Sequence, residues 1–465
     1  MSSTEQPKTG RSPIFARVLE HTGLRTLYHS SIDVKLLCIQ RFVRLFAYGA
    51  STLVLVSFLR ELDISQTHIG LFMTLTLFGD VGISFVLACF ADGIGRKWIL
   101  TLGAVLMVAS GVVFALSSSF WILLCAAVFG VISPSGNEIG PFRAVEESTI
   151  AHIVTPEQRG DIYAWYSLTG SAGSAFGTMT CGWLLEVAFA KLDWERVDVY
   201  RLAFCAYGCL GLIKAALALM LSPAVELEPS KPSTSDQEQA PLLRDSAAPQ
   251  APAKKSLLPN LSGRGMRTVI TLCFLFALDS FASGLVPLSW IMYYFKSRFG
   301  LQEGRLGSVF FTTAIIAAGS TLVAASLAKR LGNVPTMVFT HIPSAIFLAL
   351  IPIPSSLQGS LTFLILRSCI QSMDVAPRSA FLAAILRPEE RTMSMGLINV
   401  VKTTATSVGP SITGVLAGKG MFWISFLAAG SLKVIYDLGL LALFKNHERH
   451  DADRRRAGEG EDEAA

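Results

Sequence analysis

The sequence predicts an all-α membrane protein of twelve transmembrane helices arranged as two pseudo-symmetric six-helix bundles. Three observations carry that prediction. Of the 465 residues, 51% are hydrophobic and only 16% charged, and the mean hydropathy is +0.50, too apolar for an ordinary solvated chain. Apolar stretches of bilayer length recur almost from end to end. A polar segment between Ser222 and Met266 then divides the chain into halves of similar length that share motifs in the same order.

The first 34 residues are polar and basic, with Lys8, Arg11, Arg17 and Arg25. They lack the apolar core and small-residue cleavage site of a signal peptide, so the first membrane helix is expected to direct insertion. A backbone crossing lipid must satisfy its own hydrogen bonds, so each apolar run reads as a helix. These fall near 35–59, 69–90, 98–117, 121–153, 160–188 and 201–221 in an N-terminal bundle over 35–221. The second bundle, over 267–445, holds helices near 267–294, 305–328, 334–354, 359–386, 391–418 and 421–444. The linker over 222–266, rich in Pro, Ser, Gln and charge, cannot bury enough apolar area to fold and is expected to be disordered. The tail over 446–465 reads as a solvated charge run.

Lys and Arg set the orientation. Arg96, Lys97, Arg159, Lys329, Arg330, Arg387, Arg391 and Arg454 to Arg456 fall on one side, against Lys191, Arg196, Lys296, Arg298 and Arg305 on the other, where the connections Leu116 to Phe120 and Pro352 to Gln358 carry none. The bias places both termini in the cytoplasm. The net charge of +5 is dispersed over short loops rather than gathered in a basic stripe, which excludes a nucleic-acid partner. All eight cysteines lie in apolar stretches without metal-ligand spacing and read as small buried hydrophobes, so no metal and no cofactor are expected.

The halves repeat. Ile69-Gly70 aligns with Leu306-Gly307, and Ala91 to Gly95 with Ala328 to Gly332, both at a shift of 237. Glu138-x-x-Pro141 aligns with Asp374-x-x-Pro377 at 236, and Pro156 to Arg159 with Pro388 to Arg391 at 232. Gly177 and Gly182 align with Gly409 and Gly414 at the same 232. A parallel duplication of six helices is the economical explanation.

The second loop on the terminal side reads Ala91-Asp92-Gly93-Ile94-Gly95-Arg96-Lys97. The glycines permit a tight turn, Asp92 can accept from the amides that open the next helix, and Arg96 and Lys97 hold the loop inside. This loop resembles the signature Gly-x-x-x-Asp-Arg-x-Gly-Arg-Arg of the major facilitator superfamily. Asp92, Gly95, Arg96 and Lys97 match it, whereas Ala88 and Gly93 depart from it. The resemblance, with the duplication and the linker, covers Val34 to about Lys445. It implies a conformational latch at Asp92, Gly95, Arg96 and Lys97, a cavity lined by helices one, four, seven and ten, and transport by alternating access. Drug and proton antiporters of the family carry Gly-Pro in helix five; here Thr178 follows Gly177.

Small residues at spacing four, Gly177 in helix five and Gly409 with Pro410 in helix eleven, let backbones approach and suit helices that rock. The candidate site rests on intramembrane charge, which costs roughly 2.5–3.5 kcal/mol per residue on insertion scales and so lines cavities or pairs. Arg41, Asp80, Glu138, Asp279, Asp374 and Arg378 are the candidates for substrate binding or proton coupling; Arg44, Arg143, Glu147, Lys402, Lys433 and Asp437 are further intramembrane charges. Glu138 and Asp374 each stand three residues before a proline, so an acid and a helix break recur on mate helices.

The expected function is proton-coupled or facilitative transport of a small polar or anionic solute by a monomer in the lipid bilayer, in the plasma membrane or an endomembrane such as the vacuole. The alternatives are a transporter-fold sensor or scaffold, and an intramembrane enzyme, for which no nucleophile-base set or metal cluster recurs at one depth. Glu238-Gln239-Ala240-Pro241-Leu242-Leu243 fits an acidic dileucine sorting pattern.

Overall fold

The computed structural model describes residues 24–130, 132, 141–226, 263–386 and 390–462. The described residues form helices α1 (Leu24–His29), α2 (Ile32–Glu61), α3 (Gln66–Ile94), α4 (Arg96–Leu116), α5 (Phe120–Phe129), α6 (Pro141–Ile153), α7 (Arg159–Lys191) and α8 (Arg196–Leu219) in the first half. The second half contributes α9 (Gly263–Leu285), α10 (Leu288–Phe299), α11 (Glu303–Leu331), α12 (Asn333–Leu350), α13 (Leu357–Ser368), α14 (Val375–Ile385), α15 (Arg391–Gly418) and α16 (Phe422–Asp462). With the six-residue α1 set aside, the described helices give twelve spans when α5 with α6, α9 with α10, and α13 with α14 are each taken as one broken span. Residues 227–262 of the linker, with the dileucine pattern, lie outside the described residues, whereas its opening residues 222–226 are ordered against α2 and α4.

Among the described residues, six helices are long and apolar enough to cross a bilayer on composition alone: α2, α4, α8, the α9–α10 pair, α12 and the Phe422–Phe444 part of α16. By contrast, α7 and α15 carry Gly, Ser and Thr at their contact faces, trading hydropathy for close approach. In its most apolar stretch α2 is 78% buried, against 33% for α8, so spans one and six occupy the interior and the lipid boundary respectively.

Packing follows the duplication. In the first half α2 packs on α7 and α8, and α4 on α8; in the second, α9 packs on α15 and α16, and α12 on α16. The two halves meet through α3 against α15 and α7 against α11, which are again mates. Glycine makes both seams possible. A Cβ built on Gly414 would lie 2.8 Å from Gly70 Cα, and one on Gly182 would lie 3.3 Å from Gly307 Cα. Inside the halves, Gly177 abuts the Phe46 carbonyl on α2, and Gly409 abuts the Gly284 backbone on α9. Pro410 sits within α15, which continues through it.

The bonds that join the halves include Gln66 Nε2 to Tyr293 (3.2 Å), Ser411 Oγ to Thr74 Oγ1 (2.8 Å), Trp183 Nε1 to Ser308 (2.9 Å), and Gly304 N to Glu186 (3.0 Å). Tyr200 donates to Glu303 at 2.7 Å, and Lys296 pairs with Glu303 at 2.7 Å. All of these lie toward the membrane face opposite the N-terminus.

Three expected helices differ from the structure. The span expected over 121–153 is described as α5 and α6, with 133–140 outside the described residues. The span expected over 267–294 breaks after Leu285, because Pro287 has no amide to donate and disfavours helical geometry at Val286. The span expected over 359–386 breaks between Ser368 and Val375. Asp374 is the N-cap position of α14, and Pro377 falls in its first turn, where a missing amide costs nothing. The charged tail, expected to be a solvated run, continues α16 as helix to Asp462.

Candidate functional site

Five spans of the second half bring their charges together. Asp279 on α9 is 4% exposed and accepts from two cations: Lys433 Nζ on α16 at 2.6 Å and Arg378 Nη1 on α14 at 3.2 Å. Lys433 also donates to Ser283 at 2.7 Å. Arg378 reaches back one helical turn to pair with Asp374. Its guanidinium stacks over Phe276 and Tyr436, with Cζ 5.7 and 6.0 Å from the ring centroids. On α12, His341 Nδ1 lies 2.9 and 3.0 Å from the two Asp437 oxygens, and its Nε2 lies 3.8 Å from Asp279. Lys402 on α15 closes the group, its Nζ 5.6 Å from the Phe276 centroid.

Burial explains why these groups are paired. A charge removed from water without a partner costs several kcal/mol, and each carboxylate here has one or two donors within reach. Asp437 has no exposed surface and Asp374 has 4%. Movement of any of α9, α12, α14 or α16 would change which donors reach Asp279, so the cluster is sensitive to conformation by construction.

The first half carries a smaller cluster. Glu146 on α6, fully buried, accepts from Arg44 on α2 at 2.6 Å and from the Tyr166 hydroxyl on α7 at 2.5 Å. Arg41 lies over the Tyr166 ring, Cζ 4.1 Å from the centroid. Lys214 on α8, 1% exposed, sits 5.2 Å from the Phe142 centroid. Arg143 and Glu147 form an i,i+4 pair at 2.7 Å and are 47% and 35% exposed. Asp80 is buried in α3.

The structure therefore brings Asp279, Asp374 and Arg378 into one cluster and places Arg41 in another. Glu138 lies outside the described residues. Glu146, Tyr166, His341, Tyr436 and Lys214 are not among the sequence candidates. His341 carried an available signal, a titratable ring inside an apolar span; Tyr166 and Tyr436 carried none, because an aromatic in a membrane helix is ordinary.

At the signature loop, Gly95 holds φ +93° as the N-cap of α4, and its mate Gly332 holds φ +92° as the N-cap of α12. Only glycine adopts that backbone without strain. The amides of Arg96 and Lys97, which open α4, donate at 2.7 and 3.0 Å to Glu226, where the sequence suggested Asp92 as their acceptor. The side chain of Asp92 lies outside the described residues. Lys97 Nζ donates to the Leu221 carbonyl at 2.7 Å, and Ser222 donates through its amide (2.9 Å) and hydroxyl (2.7 Å) to Asp33 at the start of α2. The chain leaving α8 is thus tied to the first turns of α2 and α4.

The comparisons with known proteins agree with this architecture. The Major Facilitator Superfamily profile matches residues 37–373 and 272–463. An uncharacterized membrane protein of Saccharomyces cerevisiae is 37% identical over 431 residues, covering 89% of this chain and 94% of its own. The crystal structure of a D-xylose-proton symporter aligns with a TM-score of 0.67 at 16% identity, over 88% of this chain and 97% of its own. A bacterial homolog of the human lysosomal transporter Spinster, in an inward-facing and occupied conformation, aligns with a TM-score of 0.66 at 15% identity, over 93% of this chain and 97% of its own. With its family profile matched across both halves and a relative aligned over nearly its whole length, the chain belongs to the Major Facilitator Superfamily.

Proposed function

We propose that the protein is a proton-coupled transporter of a small polar solute, and that the cluster around Asp279 is its coupling site. Membership of the superfamily makes the chain a membrane transporter rather than an enzyme. The observation that carries the finer reading is the pairing of Asp279 with two cations from two other spans, α14 and α16, beside a histidine from a third. A carboxylate that exchanges donors as helices move can take a proton in one state and give it up in another.

The seams between the halves support alternating access. Both are closed toward the face opposite the N-terminus, and with the termini in the cytoplasm this is an inward-facing state. Glycines at both seams let the backbones of the two halves approach closely.

The test is uptake into proteoliposomes across a panel of sugars, carboxylates, phosphate and organic cations, with and without an imposed pH gradient. The reading predicts uptake that rises with the gradient, and that falls in Asp279→Asn and Asp374→Asn while purified yield stays normal. Uptake indifferent to the gradient, or unaltered in both variants, would remove the cluster from coupling.

A further inference from the structure

We infer that the transported solute is a small anion and that Lys402 is the cation that receives it. The inference deepens the proposed function and rests on the Asp279 cluster being the transport site. It starts from how the charges of that cluster are already committed. Asp279 accepts from Lys433 and Arg378, Asp374 pairs with Arg378, and Asp437 binds His341. Each carboxylate of the group therefore has a positive or donating partner.

Lys402 differs. It is half-buried in a membrane span, its ammonium lies over the Phe276 ring, and no carboxylate of the described residues stands within ion-pairing distance of it. Arg378 contacts the same ring at 5.7 Å, so two cations share one aromatic ring. The aromatic quadrupole offsets part of their repulsion but does not neutralise either. A cationic ligand entering here would meet carboxylates that are already paired, with the Lys402 ammonium left to repel it. An anion would meet an ammonium with donors to spare, and would form charge-assisted hydrogen bonds with it. A neutral sugar would gain only ordinary hydrogen bonds and would leave the ammonium of Lys402 uncompensated.

The ligand chemistry is that of a carboxylate or a phosphate monoanion or dianion. Both present oxygens to which a flexible ammonium can turn, and Lys rather than Arg suits a cargo that must be released again, because it binds as a point charge without a fixed bidentate fork.

The experiment uses the full chain in proteoliposomes and four labelled probes: lactate, inorganic phosphate, xylose and tetraphenylphosphonium. We expect uptake of lactate or phosphate, competed by the other anion and not by xylose. Lys402→Gln is expected to lower anion uptake at subsaturating concentration by about ten- to hundredfold, the range for losing one hydrogen bond to a charged group. Lys402→Arg restores a substantial part of it, and the loss appears in KM. That split separates a ligand contact from a structural one, since a packing defect would lower yield and would not be rescued by charge. Uptake of xylose or tetraphenylphosphonium in preference to both anions overturns the inference and leaves the transport reading standing. So does anion uptake that is equal in Lys402→Gln and the parent. Uptake of none of the four probes, with or without a pH gradient, counts against the transport reading and this inference together.

Discussion

Glu146 and Glu147 are neighbours on α6, and the structure assigns them opposite fates. Glu146 is fully buried against Arg44 and Tyr166, whereas Glu147 shares an exposed i,i+4 pair with Arg143. Replacing Glu146 by Ala removes the buried carboxylate to which both Arg44 and Tyr166 donate, at a cost of about 3–5 kcal/mol. Glu147→Ala removes a solvated pair and should cost less than about 0.5 kcal/mol. Thermal unfolding in detergent distinguishes them: a large drop in midpoint for Glu146→Ala beside no change for Glu147→Ala. Equal midpoints would mean that the Arg44 pair contributes nothing net. Combining Glu146→Ala with Arg44→Met should recover part of the loss, because the buried cation goes with the carboxylate it faced. The sequence made Arg44, Arg143 and Glu147 visible as membrane charges but not the one of the two glutamates that is buried. That choice depends on the rotational phase of α6 against α2 and α7, which a break marked at Pro141 does not by itself set. The same holds for His341: a search for groups charged at neutral pH passes over it, while its position facing Asp437 and Asp279 emerges only from how α12, α16 and α9 pack.

At the scale of elements, the duplicated glycines were legible because they sit at one shift in both halves. Which backbone each one meets was not, since that requires the packing of four helices. Gly70 meets Gly414 and Gly182 meets Gly307, so the aligned pairs are exchanged between the two seams. A methyl group at Gly414 would have to push α3 from α15, and overpacking of this kind typically costs about 1–3 kcal/mol. The contact exists only while the far end is closed, so the cost falls on that state alone. Gly414→Ala should therefore shift the equilibrium toward opening at the far end by about five- to hundredfold. Accessibility of an engineered cysteine near the seam to a membrane-impermeant reagent measures it; unchanged labelling would show that the seam relaxes without opening. The Glu226 cap gives an independent element-level expectation. Two amides at the start of α4 depend on its carboxylate, and losing a cap typically costs about 0.5–2 kcal/mol. In Glu226→Ala, hydrogen exchange at Arg96 and Lys97 should accelerate while the middle of α4 keeps its protection. This cap was hidden in the sequence because Glu226 lies about 130 residues away, in the opening turns of a linker that composition marked as unstructured.

The whole molecule combines two halves whose internal contacts repeat and two seams that repeat as well, and this is why its architecture could be anticipated from hydropathy and a near-constant shift between motifs. Periodicity and duplication are global signals that survive uncertainty about any single helix end, whereas a charge cluster is a product of rotations and breaks in five spans at once. The symmetry also carries a mechanical consequence. If the halves move as bodies, fixing one seam at the far end must hold the molecule in a single access state. Thr74 and Ser411 face each other across the α3–α15 seam, Oγ to Oγ 2.8 Å. Replacing both by Cys, in a background where the exposed Cys125, Cys205 and Cys209 are Ser, places two thiols within bonding reach at that seam. Oxidation should form the cross-link and stop solute uptake in proteoliposomes, and a reductant should restore it. Each single replacement should transport before and after oxidation, because the seam can still part. Complete cross-linking with transport undiminished would mean that solute passes without separation of the halves at this face, and rocking about the two glycine seams would then have to be abandoned as the motion that carries it.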